Sequence, residues 1–244
     1  MSDTVPDSCP YTQENKFDKE FGTTKNPSKE VLHDDWEKYI KSKYGNQFYI
    51  EQQRMMTGWK HGELSNNYYP DFMRGAASKL FNTHNPTFIG GKFMDNKLNK
   101  ISKIYDVAQI ETATELKLGI QSLKESIKLQ HEYSKHSLNR MYGKGAKIKL
   151  YRGVDHEYTK NFLPSVEKKG KLQLNSLESW TDDPETAKYF AGKKGSILKI
   201  EVPIDKVFTS HISEVSLQNG ENEFLLFSQK TDFKVIDAAL LPGK

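Results

Sequence analysis

The stretch Met141-Tyr-Gly143-Lys-Gly145-Ala-Lys-Ile148-Lys-Leu150-Tyr-Arg152-Gly153 is where the chain changes its period. Before it, Leu116, Ile120, Leu123 and Ile127 recur at steps of four, three and four, which predicts a long helix over 108–141. Gly143 and Gly145 stand where a helix C-cap is expected. After them Ile148, Leu150 and Arg152 alternate with their neighbours, as residues of a strand do. The chain therefore reads as helices first and strands after.

The division extends to both sides of this junction. Upstream, Trp36, Tyr39, Ile40 and Tyr44 recur at helical spacing, so 31–80 is expected to be helical, with a loop at 82–91 ending in Gly90-Gly91. The polar start, 1–30, is expected to be a flexible arm. Downstream, strands are expected over 195–203, closed by Pro203, and over 221–227 and 232–237. A short helix from Pro184 to Ala191 interrupts them, with Asp183 as its cap and Ala187, Phe190 and Ala191 as its buried face. The expected architecture is α+β: a flexible arm at 1–30, then one domain over 31–244. Its helical part covers 31–142, and its mostly antiparallel β-rich part covers 143–244.

Composition narrows the function classes. With 36% hydrophobic and 28% charged residues over 244 positions, the chain can bury one substantial core. It has no apolar run near the roughly 18 residues that span a bilayer. The first residues lack the basic and apolar regions of a signal peptide, so the expected location is the cytoplasm, of its own cell or of a target cell. The single cysteine, Cys9, excludes a disulfide framework and a Cys-rich metal site. His131 and His136 lie about 140° apart around a helix, so no metal is expected there. The net charge of +4 is a weak pointer to nucleic acid. Of 36 basic residues only Arg54, Arg74, Arg140 and Arg152 are arginine, so each merits scrutiny.

Three patches carry the chemistry. Arg152 ends an apolar strand and needs an anion or carboxylate partner; alone it reads as a structural ion pair. Gly153, which follows, lets backbone approach a ligand closely. Ser179-Trp180-Thr181 sets two hydroxyls just before a capped helix, a place suited to a polar or anionic ligand. Glu221-Asn222-Glu223 opens the apolar run to Phe227. On a strand the two glutamates would share a face, about 6.5 Å apart at Cα. Alone they would be a solvated strand edge, and a glycosidase pair is disfavoured because both would sit on one strand.

In this order the three patches resemble the R-S-E class of mono-ADP-ribosyltransferases: an arginine on the first strand, a Ser-x-Ser/Thr strand and a Glu-x-Glu strand. The wordings Leu150-Tyr-Arg152-Gly153 and Ser179-Trp-Thr181…Ala187-x-x-Phe190-Ala191 are closest to members from phages and bacterial toxin systems. Thr181 stands where the best-known toxins have serine. The resemblance covers about 145–240 and implies a β-sandwich-like catalytic core behind the helical part.

It also implies a reaction: NAD is the substrate, the nicotinamide–ribose bond breaks, and ADP-ribose passes to a macromolecule without a metal. Glu223 would stabilise the oxocarbenium-like transition state. Ser179 would orient Glu223, Arg152 would grip an NAD phosphate, and Gly153 would offer backbone groups to the nicotinamide amide. Thr181 would support the pocket. Trp180, Tyr189 and Phe190 are candidates to stack on nicotinamide, with Phe190 read first as core. Glu221 implies a protein arginine as first-choice acceptor, the predicted loop 213–220 being the place to read it. Acceptance by RNA or DNA, hydrolysis by water, a binding module without activity, and a neutralising antitoxin or immunity partner stay open.

Overall fold

Gly143 and Gly145 do mark the break, with φ of 90° and 78°, a region that side chains rarely adopt. The structure, a computed structural model, describes residues 16–60, 73–74, 76–77, 80–81, 113–174, 177–214, 217 and 220–238. The predicted loop with Gly90-Gly91 and part of the loop at 213–220 lie outside the described residues.

Ahead of the strands lie α1 (Lys16–Phe21), α2 (Lys29–Tyr44), α3 (Asn46–Lys60) and α4 (Ala113–Tyr142), and the described residues among 73–81 are helical as well. Ser28 caps α2, its hydroxyl accepting from the Val31 amide at 3.4 Å, and Gly45 ends it at φ 86°. Within the stretch read as a polar arm, residues 16–21 form α1. Phe17 of α1 is fully buried, with the rings of Tyr39, Tyr133 and Trp36 at 4.8, 5.2 and 6.2 Å. Asp18 adds a contact to His136 Nδ1 at 2.6 Å. Two aromatics four residues apart, Phe17 and Phe21, form one helical face, a signal that averaging over a polar segment conceals.

The strands are β1 (Lys147–Val154), β2 (Leu172–Gln173), β3 (Leu177–Thr181), β4 (Ser196–Pro203), β5 (Val207–Ser210), β6 (Glu223–Phe227), β7 (Lys230–Thr231) and β8 (Phe233–Asp237). Between them lie α5 (His156–Asn161), α6 (Leu163–Lys169) and α7 (Pro184–Ala191). Six strands make one sheet in the order β5-β6-β3-β1-β4-β8, and β2 pairs with β7 in a small ribbon. The described pairs are antiparallel, so the chain has the α+β class read from its sequence.

Alternation assigns each strand residue to a face. Leu150, Trp180, Phe224 and Leu226 share one cluster with Leu32 and Leu138. On the opposite face Leu177, Leu225 and Phe227 pack with Met55, Met56 and Trp59 of α3 and Ile127 of α4. Further along that second face, Tyr151 and Ile197 pack with Ala187 and Ala191 of α7. So α3 covers the β6–β3 end, α7 covers the β1–β4 end, and the middle of the sheet lies between them.

Candidate active site

Glu223 is the first residue of β6 and only 6% exposed. A carboxylate so buried must be hydrogen-bonded or lose its charge. Ser179 Oγ donates to Glu223 Oε1, and the Trp59 indole Nε1 donates to the same oxygen at 3.0 Å. The indole also lies 3.3 Å from Ser179 Oγ. The register explains the meeting: β3 and β6 pair over Leu177 to Thr181, with Ser179 opposite Leu225 and Thr181 opposite Glu223. Ser179, Thr181 and Glu223 thus share the face covered by α3. Charge-assisted hydrogen bonds onto one carboxylate oxygen favour the ionised form and fix its orientation.

The neighbouring seam is different. β1 meets β3 at a single register pair, Tyr151 with Thr181. Arg152, beyond that pair, lies by alternation on the Leu150 and Trp180 face, away from Glu223. Its Nη1 donates to the Ser179 carbonyl at 3.3 Å and lies 3.5 Å from Glu178 Oε2. Tyr158 of α5 belongs to the same group: burial pushes its phenol up, Glu178 adds to the rise, and Arg152 opposes it. The arginine is 38% exposed, so it remains accessible to an anion at the seam. Gly153 faces α7. A Cβ there would fall on the Ala187 carbonyl oxygen and 2.5 Å from the Ala191 amide nitrogen. The close approach that this glycine allows is therefore first that of a helix.

Several expectations need correction. Glu221 is not on the strand, which begins at Glu223, and Asn222 between them is left-handed at φ 47°. The alternation that would place both glutamates on one face does not operate there. The turn is tied down instead by Thr181, whose hydroxyl donates to the Glu221 carbonyl at 2.7 Å and accepts from the Asp183 amide at 3.1 Å. That hydroxyl serves the protein's own backbone, a supporting role. Trp180, a stacking candidate by sequence, is 2% exposed, its ring packed in the core of the far face with Leu150 and Phe224. Phe190, expected in the core, is 51% exposed and Tyr189 is 81% exposed, because the helix buries only its alanines against the sheet. The capping by Asp183 is as expected, its carboxylate accepting from the Glu185 and Thr186 amides.

Sequence reasoning missed Trp59. It lies four residues after Met55 on a helical stripe, and that spacing explains its burial but conceals its polar partner. Arg74 was singled out without a role. Its guanidinium lies 4.9 Å from the Trp59 ring centre, and its Nε donates to the Leu177 carbonyl at 3.3 Å.

His131 is buried, with its pKa pushed down to about 4 by desolvation. Among the described residues no group of three or more His, Cys, Asp or Glu is arranged to hold a metal ion. Among them, too, no helix is long and apolar enough to cross a membrane.

Comparisons with curated proteins and with solved structures give no match. A family model described as dinitrogenase reductase ADP-ribosyltransferase matches residues 38–234, which include α3, β1, β3 and β6 and every residue of the site above. That span runs from α2 to the start of β8, well over half of the chain. The chain belongs to the dinitrogenase reductase ADP-ribosyltransferase family and is an ADP-ribosyltransferase that uses NAD as its substrate.

Proposed function

We propose that this enzyme transfers ADP-ribose from NAD to an arginine side chain of a protein, with Glu223 as the catalytic carboxylate. The observation that carries the reading is the burial of Glu223 with Ser179 and Trp59 donating to it. As the nicotinamide–ribose bond breaks, its electron pair leaves with nicotinamide and positive charge develops on the ribose ring. A fixed carboxylate stabilises that charge more than it stabilises neutral ribose, which is what accelerates the step. Glu223 also accepts from a ribose hydroxyl. Ser179 orients Glu223, and Arg152 moves from Glu178 to an NAD phosphate. Gly153 presents backbone groups to the nicotinamide amide. Phe190, exposed beside Gly153, stacks on nicotinamide.

The acceptor guanidinium is protonated at neutral pH, so its attacking nitrogen must shed a proton. Glu221 takes that proton and orients the guanidinium. The family's description names a protein acceptor, which supports protein over nucleic acid.

The test is incubation with labelled NAD and a whole-cell extract, followed by protease or nuclease. The label should be lost on protease treatment and map to arginine. Glu221→Gln should lose at least about tenfold in protein labelling while nicotinamide release stays within about threefold. Label released by nuclease, or free ADP-ribose alone, would overturn the arginine assignment.

A further inference from the structure

Trp59 is 5% exposed and is held on the sheet by packing with Met55, Met56 and Leu225. A phenyl ring would serve such packing almost as well. The indole adds one group, an N–H that only donates. That proton faces two oxygens, Glu223 Oε1 at 3.0 Å and Ser179 Oγ at 3.3 Å. Because tryptophan cannot accept, the direction of the network is settled. Ser179 receives from the indole and gives its own proton to Glu223, so Oε1 is the acceptor of both hydrogen bonds. A charged carboxylate oxygen accepts such bonds more strongly than a neutral carboxyl does, so the network favours the ionised form.

Arg74 reinforces the arrangement. Its guanidinium carbon sits 4.9 Å from the ring centre, and its Nε is anchored to the Leu177 carbonyl, two residues before Ser179 on β3. A cation over the indole face holds the ring by its quadrupole and draws electron density from it, which makes the N–H a stronger donor.

We infer that Trp59, clamped by Arg74, is a positioning residue that keeps Glu223 ionised and in one orientation for the cleavage of NAD. This rests on Glu223 as the catalytic carboxylate, and it adds a residue more than 160 positions away that controls it. The residue acts through Glu223, so its loss should appear in turnover and pH dependence rather than in NAD affinity.

The experiment measures nicotinamide release against NAD concentration and pH for Trp59→Phe and Glu223→Gln. A third protein carries benzothienylalanine at position 59, which keeps the bicyclic shape but has sulfur in place of N–H. The expected result for both position-59 proteins is a fall in kcat of about ten- to a hundredfold with KM for NAD within about threefold. The acid limb of kcat should move upward by about one pH unit, because a carboxylate that loses a donor protonates at higher pH. If Trp59→Phe fails to fold, the benzothienylalanine protein decides. Wild-type kcat and an unmoved acid limb in that protein would overturn the inference. A fully active Glu223→Gln would instead sink the reading of Glu223 on which it stands.

Discussion

The two seams of β3 differ in how much of their backbone they spend on each other. Toward β6 the strand is zipped from Leu177 to Thr181, and the last pair, Thr181 with Glu223, fixes where the carboxylate starts. Toward β1 the backbone register is the single pair Tyr151 with Thr181, and beyond it Arg152 reaches Ser179 and Glu178 through its side chain while Gly153 meets a helix. The zipped seam suits a catalytic group, which must not move relative to its donors. The loose seam suits a substrate-holding site, where an arginine must exchange a carboxylate for a phosphate. In the function we propose, positioning and binding would divide between the two edges of one short strand.

Two substitutions probe that division. The larger effect is expected on the loose side. Gly153→Ala puts a methyl group against the Ala187 carbonyl, and backbone on both sides must shift. Overpacking of this kind costs about 3 kcal/mol, so Tm should fall by about 10 °C and activity should be lost as α7 is displaced with Phe190. Calorimetry alongside nicotinamide release checks this; an unchanged Tm would mean that β1 and α7 are not held as described. On the zipped side Ser179→Ala removes one donor to Glu223 and leaves the pairing intact. Its expected cost is about tenfold in kcat with little change in Tm, because the Trp59 donor remains. A drop mainly in NAD affinity would place Ser179 with the binding seam instead.

Much of this arrangement was legible in the residues. The change of period at Gly143–Gly145 located the helix-to-sheet junction, and Asp183-Pro184 located α7. Ser179 and Glu223, recognised only by order and resemblance, do meet. What escaped was tertiary. A pattern of alternation cannot show that Asn222 turns left-handed and takes Glu221 off the strand. Nor can it show which face of a neighbouring strand a residue shares, and so Arg152 and Trp180 were grouped with hydroxyls that lie across the sheet. Trp59 was hidden for a related reason. Burial on a helical stripe looks the same whether or not the indole N–H has a carboxylate to meet. The two-residue strands β2 and β7 were too short to carry a period at all.

The central claim is that Glu223, ionised and held by Ser179 and Trp59, makes this fold cleave NAD. Glu223→Gln tests it most directly, since the amide keeps the shape and removes the charge. Nicotinamide release should fall at least about a hundredfold while NAD binding, measured by calorimetry, changes by less than about threefold. A variant that binds NAD and releases nicotinamide at the parent's rate would contradict the account.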